Sequence, residues 1–573
     1  MHSIPKESHP SSGEDANPRI VLPPDELQLR GLFPGPMAIV MVVALLTIAP
    51  FFVWGNPSGH DFEFHMNSWM EVVAQWKQGI FYPHWAALAH WGYGEARFLF
   101  YPPTSWHLGA VLALFLPWAA IPGVYVWIAL SAAGCSMYLL ARRWLARTDA
   151  IFAAALYAAN PYHLVIVYWR SALAELLASC LPPLVLLCVL ELADGRRRSI
   201  VPLSVVIAAA WLTNGPSAVM VNYSVALLAV VIAIFKRQPR ILLLAGAAVV
   251  LGGLLSSFYL LPAAYEQHWV NLGEVFAPGV RPQDNFLFTL LKDADHNRFN
   301  WIVSILAVAE MIVVTSAFGV AGRIRRTQPI LWWTLGAWAA AAALLMFPFT
   351  RPLWEHLPKL RFVQLPWRWL LCLNVAFAMA VTAAFRRWWQ RIAIYATMLF
   401  VLGFLWNRVQ PPWWDTAADI AEMHDAILDG SGYEGTDEYV PAGVDPYEVN
   451  KDAAKVVIEG ASAAHADIHR WAAQSKEFTV TAEEPVRARL RLFHYPAWSV
   501  KVDGSPVVSE AVETSGEILV PLTPGTHRVL VTFRHTWDRT LGALLSLLAV
   551  LAALALMWKE RNEGSMVTGL TAR

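Results

Sequence analysis

Residues 59–103 read GHDFEFHMNSWMEVVAQWKQGIFYPHWAALAHWGYGEARFLFYPP and directly follow an apolar run. His60, Asp61, Glu63 and His65 open this stretch, and Glu95, Arg97 and Tyr101 stand near its end. Ionisable groups held against a bilayer surface cost free energy unless solvated, paired or used. A carboxylate at Asp61 can take the proton of an acceptor hydroxyl as general base. If a helix starts there, His65 shares its face one turn on. Asp61 also suits the cap of that helix, and the two roles are compatible. His60, Asp61, Glu63 and His65 are oxygen and nitrogen donors of the kind a divalent ion such as Mg or Mn accepts, with Asp61 and His65 first among them; a solvated polar loop is the competing reading.

Charges recur at apolar boundaries further along. Arg170 and Glu175 lie in YWRSALAELL, Glu266 in FYLLPAAYEQHW and Arg368 in LPWRWL; Asn214 marks LTNGPS. A carboxylate one turn inside an apolar run needs a partner, and Arg170 is near in sequence to Glu175. Guanidinium groups bind phosphate oxygens bidentately and stay charged, so Arg97, Arg170 and Arg368 are candidate holders of a phosphate leaving group carried on a membrane lipid. The plain alternatives are a fixed ion pair for Arg170 and Glu175, snorkelling for Arg368 and a surface charge for Arg97. His60, His65, Glu95, Arg97, Tyr101, Arg170, Glu175, Glu266 and Arg368 are therefore expected to line a substrate site around Asp61. Trp69, Trp76, Trp85, Trp91, Tyr93 and Tyr101 either stack on a sugar ring or belong to an interfacial aromatic belt.

These groups need elements to hold them. The chain has 573 residues, 57% hydrophobic and 15% charged, with mean hydropathy +0.43. Repeated apolar runs near the length of a bilayer span predict a polytopic α-helical membrane protein. Twelve spans are expected, at 32–54, 121–141, 149–168, 171–192, 200–213, 217–235, 241–262, 301–321, 329–348, 367–385, 391–407 and 539–557. The run from Thr104 to Ala119 is short, proline-ended and interrupted by His107, and reads as an interfacial or re-entrant helix on the outer side. The basic clusters at Arg142–Arg147, Arg196–Arg198, Lys236–Arg240, Arg323–Arg326, Arg386–Arg391 and Lys559–Arg561 then all fall inside, with both termini cytoplasmic.

The domain plan follows. Residues 1–30 predict a disordered cytoplasmic tail, and 31–407 a transmembrane domain with an outer loop at 55–120. The first apolar run lacks an A-x-A cleavage signal and reads as a retained span. Residues 408–538 predict an extracytoplasmic domain, a β-sandwich from about 476. Its strands are Phe478–Ala482, Val486–Phe493, Trp498–Val502, Glu517–Leu522 and Arg528–Phe533, with turns at Asp503–Gly504 and Pro524–Gly525. Residues 539–573 return the chain through the bilayer to a cytoplasmic tail. Cys135, Cys180, Cys188 and Cys372 all sit in apolar runs and read as small core hydrophobes. The chemistry-bearing charges gather on one side, and no inverted repeat is evident, which argues against a transport path.

GHDFEFHMNSW, GYGEARFLFYPP, YWRSALAEL, FYLLPAAYE, LPWRWL, HYPAWSVKVDG and PGTHRVLVTF together resemble one bacterial membrane family, from about Leu32 to Leu556. It is the 6-pyruvoyl-tetrahydropterin-synthase-related membrane domain family, akin to YfhO-type proteins and more distantly similar to GT-C glycosyltransferases. The resemblance implies a GT-C-like fold in the bacterial inner membrane with catalysis at the outer face. It implies an acid in the first outer loop, matched in position by Asp61, that serves the acceptor or a metal. Glu63 stands where some members carry a second catalytic acid, although its surroundings depart from the paired-acid motif. The implied donor is a polyprenyl-phosphate sugar. The acceptor is an envelope glycan, polymer or protein, and no nucleic acid is involved. The reading is an inverting transferase; the alternatives are a non-catalytic envelope scaffold and a lipid or polymer transporter. The sequence carries no soluble catalytic domain and no Cys/His arrangement suited to pterin-synthase chemistry.

Overall fold

A computed structural model describes residues 35–195, 199–409, 413–460 and 464–571. The expected tail at 1–30 and the basic run Arg196–Arg198 lie outside the described residues. Among the described residues nine helices are long and apolar enough to cross a membrane. Two further pairs, Arg240–Leu255 with Ser257–Trp269 and Pro329–Leu345 with Pro348–His356, bend by 76° and 94° at a break; counted as spans they make eleven. The span expected at 200–213 is a helix, Ile200–Thr213, of 14 residues. At 1.5 Å per residue it reaches about 21 Å, against about 30 Å of hydrocarbon.

The run from Thr104 to Ala119 is broken into a short helix and a single turn, Pro103–Leu112 and Trp118–Ala120. Helix Pro103–Leu112 has 10 residues and packs on helices Phe62–Trp76 and Leu173–Ala178. Arg143, Lys236 and Arg391, from three of the basic clusters, pair with acids near helix ends. Arg143 pairs with Glu191 (2.7 Å) and Asp194 (2.9 Å), Lys236 with Asp194 (2.8 Å), and Arg391 with Asp149 (2.9 Å). At the other end, Asn56–Pro57 pairs antiparallel with Trp414–Asp415, and bridges join Ala89 to Tyr433 and Val270 to Pro441. The first loop, the segment after residue 269 and the chain after residue 413 thus interlock.

Two antiparallel sheets follow. The first orders Val456–Glu459, Val486–Phe493, Glu517–Leu522 and Glu510–Ala511; the second orders His465–Ala472, Ser475–Ala482, Gly525–Phe533, Trp498–Val502 and Ser505–Val507. Alternate residues point inward, as a strand's period of two requires. Phe478, Val480, Leu490, Ile518, Val520, Val529 and Val531 share one core. The sheets therefore begin at Val456 rather than near residue 476. His465–Ala472 is an edge strand with mostly exposed residues, so its sequence carries no apolar alternation. Trp85, Tyr93, Ala96 and Leu99 of the first loop enter the same core. The four cysteines are unpaired, two buried and two half-buried.

Candidate functional site

The first loop is stitched onto a sharp turn between two spans. Ser171 ends the turn in the left-handed region, at φ 49°. Its hydroxyl donates to the Pro57 carbonyl (2.8 Å) and accepts from the Gly59 N–H (2.9 Å). The Asp61 N–H then donates to the Arg170 carbonyl at 2.9 Å. A Cβ on Gly59 would collide with the backbone of Trp169 and Arg170, so only glycine permits this approach. Asp61 stands at the head of helix Phe62–Trp76, but its side chain makes no capping hydrogen bond. The half-buried carboxylate acts electrostatically on Arg170, His65, Tyr101 and Glu438.

Beside it lies a buried cluster centred on Glu175. One carboxylate oxygen accepts from Arg170 Nη1 (2.7 Å) and from Arg368 Nε (3.0 Å), and the other accepts from the Tyr162 hydroxyl (2.6 Å). Arg368 also donates to the Val363 carbonyl (2.8 Å) and to Gln364 Oε1 (3.1 Å). The Arg170 guanidinium lies 4.8 Å from the centre of the Trp367 ring. Two guanidiniums thus share one carboxylate, a formal surplus of one positive charge. Desolvating such a group is expensive, and the mutual pairing and the Tyr162 hydroxyl offset the cost. The local sequence sets the geometry: Glu175 is on the short helix Leu173–Ala178, and Arg368 on the single turn Pro366–Trp369, opened by proline.

A second arginine–carboxylate network lies on the loop side of Asp61. Arg97 donates through Nε to Glu95 (2.5 Å), and also to Ser68 (3.1 Å) and Thr436 (3.3 Å). Glu95 accepts the Thr436 N–H (2.7 Å), and His90 Nε2 stands 3.0 Å from it. Burial pushes the Glu95 carboxyl up, but Arg97 and His90 outweigh it and hold it below the usual range. Arg97 lies over the Phe64 ring at 4.3 Å. Glu438 lies within electrostatic reach of both Glu95 and Asp61; burial raises its carboxyl above the ordinary value. Sequence reasoning missed Glu438. A charge in the polar segment 413–473 carries no cue of its own, and only the folding of that segment over the first loop buries it.

The expected site residues therefore divide. Asp61, Arg170, Glu175 and Arg368 come together, with His65 and Tyr101 adjoining. Glu95 and Arg97 form their own saturated network. Glu63 and His60 are exposed, and the His60 ring packs 6.4 Å from Phe299. Glu266 is removed from the site: Arg539 holds it by two 2.9 Å bonds and the Tyr495 hydroxyl by one of 2.7 Å, tying the last span to the sheet domain. A charge at the end of a span reads the same in sequence whether it anchors a domain or meets a substrate. Trp69, Trp85 and Tyr93 are fully buried and unavailable to a sugar ring.

The metal ligands expected at Asp61 and His65 do not fit a divalent ion. His65 is buried and its Nε2 already accepts the Leu173 N–H (3.2 Å). Among the described residues no group of three or more His, Cys, Asp or Glu is placed to hold a metal.

No curated protein sequence matches the chain. A cryo-EM structure of the arabinofuranosyltransferase AftD from Mycobacteria overlaps 67% of this chain at 18% identity, with a TM-score of 0.41. The chain spans 28% of that protein's length, and an overlap of this size carries no argument about fold or activity. Residues 98–412, more than half of the chain, match the family described as the 6-pyruvoyl-tetrahydropterin synthase related domain, a membrane protein, and the chain belongs to that family.

Proposed function

We propose that the protein is a membrane glycosyltransferase of the GT-C kind, moving a sugar from a polyprenyl phosphate to an envelope acceptor. The observation that carries this reading is the placement of Asp61 against Arg170, with Arg170 and Arg368 sharing Glu175. The acceptor hydroxyl gives its proton to the Asp61 carboxylate as its oxygen attacks the anomeric carbon. The bond from that carbon to the phosphate oxygen breaks, the electron pair leaves with the phosphate, and configuration inverts. Arg170 and Arg368 stabilise the charge that develops on the departing phosphate. Glu175 holds the two guanidiniums in place. No step passes through a metal.

The lipid tail of the donor has a route consistent with this site. An open cavity of about 480 Å³ is lined by Tyr82, His107, Leu108, Val111, Leu212 and Phe258, among others, and is almost wholly apolar. Its wall, helix Pro103–Leu112, also packs on the helix bearing Glu175. In this reading the bundle has twelve spans, counting both bent pairs and Ile200–Thr213. It lies in a bacterial inner membrane with cytoplasmic termini and an extracytoplasmic β-sandwich. Asp61 is the base; Glu63, exposed, is not assigned a step.

A second reading rests on the near-complete burial of Arg170 and Arg368, which are already paired. A closed ion cluster of this kind also suits a non-catalytic envelope scaffold. The test is transfer by the purified full chain in nanodiscs, supplied with radiolabelled polyprenyl-phosphate hexoses and pentoses and an envelope extract as acceptor. Label entering the acceptor supports the transferase. Its absence with every donor, together with an unchanged envelope glycan profile in a deletion strain, favours the scaffold.

A further inference from the structure

Lys476 occupies a position that a strand core normally gives to an apolar residue. It faces inward on Ser475–Ala482 in the same row as Phe478, Val480 and Ala482, and is 3% exposed. Its Nζ donates to the carbonyls of Ala472 (2.5 Å) and Ala473 (2.9 Å). The rings of Trp498 and Trp471 lie 5.0 and 5.7 Å away. Among the described residues no carboxylate is within ion-pair distance of Lys476. Burying an ammonium without a counter-ion costs several kcal/mol, and a leucine would fill the position without that cost. An unpaired buried charge marks a group held for recognition or chemistry.

A cavity of about 250 Å³ opens beside it, where the first loop meets the sheet domain. Glu71, Gln75, Lys455, Trp471, Lys476 and Arg491 are among its lining residues. Three cations thus face one carboxylate. That carboxylate is already engaged: Glu71 accepts from the N–H groups of Ala87 and Leu88, from Gln75 Nε2 (3.2 Å) and from the Tyr433 hydroxyl (2.6 Å). Arg491 spends its terminal nitrogens on the Ala453 and Trp91 carbonyls, while its buried Nε has no hydrogen-bond partner among the described residues. Gln75 Oε1 likewise has no partner among the described residues. The site therefore has surplus positive charge, unused polar atoms and one aromatic wall.

We propose that this cavity is a subsite for an anionic sugar residue, whose carboxylate or phosphate supplies the missing counter-ion to Lys476 and Arg491 while its ring lies on Trp471. The volume equals about eight waters at roughly 30 Å³ each, room for one monosaccharide unit. Charge-assisted bonds from lysine and arginine suit both anions, and the aromatic face suits a pyranose ring. The inference rests on the transferase reading only in calling the bound unit part of an acidic acceptor glycan; the binding itself does not depend on transfer. Burial lowers the Lys476 pKa to about 7, with Lys455 lowering it further and Glu71 opposing, so a bound anion draws a proton onto the amine.

The test is calorimetric titration of the purified full chain with D-glucuronate, D-glucose 6-phosphate and D-glucose at pH 6 and pH 8.5. At least one anion is expected to saturate, with glucose at least tenfold weaker and affinity falling at the higher pH. Lys476→Met removes a buried charge and is expected to fold; it and Arg491→Gln should each cost tenfold or more. Glucuronate binding alone identifies a uronic acid, and glucose 6-phosphate alone a phosphate-bearing unit; both support the subsite. Failure of both anions to saturate, equal binding of glucose, or unchanged affinity in Lys476→Met and Trp471→Ala overturns it. Asp61→Asn separates the two claims. Anion binding with undiminished transfer in that variant defeats the transferase mechanism alone. Loss of transfer at Asp61 without any anion binding defeats the subsite alone.

Discussion

The backbone N–H of Asp61 donates to the carbonyl of Arg170 at 2.9 Å, which fixes the first acid of the first loop against the first arginine of the Glu175 cluster. The join depends on Gly59, whose missing side chain lets the loop lie on the backbone of Trp169 and Arg170. Gly59→Ala is therefore expected to displace Asp61, at a stability cost of about 1–3 kcal/mol from the steric clash. Donor transfer should fall at least tenfold while the protein still inserts. Turnover of the purified variant, read beside its thermal unfolding, checks this; unchanged turnover would separate Asp61 from the arginines.

Glu175 holds two guanidiniums, and Glu175→Gln leaves both buried without their charge partner. Breaking a buried pair from one side costs about 3–5 kcal/mol. The variant should unfold at markedly lower temperature in detergent. An unchanged melting profile would mean that the two arginines find another anion.

Glu310 presents the opposite case. It is fully buried in the helix Ala294–Val320, and among the described residues neither carboxylate oxygen has a hydrogen-bond partner. A lone acid at this depth destabilises, so Glu310→Gln should leave the melting temperature unchanged or raise it. A fall of several degrees would show that the carboxylate has an undetected partner.

Lys476 predicts a pH profile. Its folded pKa, lowered from 10.5 to about 7, means that between pH 7 and 10.5 the unfolded chain binds a proton that the folded chain does not, so stability rises with pH across that window. Glu71, facing the same cavity, has its pKa raised by burial from 4.5 to about 6. Between pH 4.5 and 6 the folded chain binds the extra proton, and stability falls as pH rises. Lys455 and Arg491 face the cavity as well. Denaturant titrations from pH 5 to 10 should show the upper slope in the natural protein and lose it in Lys476→Met.

The parts legible in the sequence are those where a single residue contradicts its surroundings. Arg170, Glu175 and Arg368 are charges at the edges of apolar runs, and the cost of burying them unpaired points to one another as partners. Glu266 carries the same cue and reads as a site residue, because nothing in its own segment reveals that Arg539, more than 270 residues later, takes it. Lys476 carries a subtler cue, a cation in phase with Phe478, Val480 and Ala482 on a period-two strand. Glu71 and Glu438 carry none. Their burial comes from the packing of segment 413–460 and the sheets over the first loop, and acids in a polar loop are ordinarily solvated. The early strands were hidden for a related reason: His465–Ala472 buries too little of itself to show alternation.

The most direct test of the account is single-turnover transfer from a radiolabelled polyprenyl-phosphate sugar by purified Asp61→Asn beside the natural protein. General-base catalysis contributes about 10²–10⁴ in rate. The account predicts that transfer falls by at least about a hundredfold while donor binding and the melting temperature are unchanged. Transfer at a near-normal rate in the variant would contradict it.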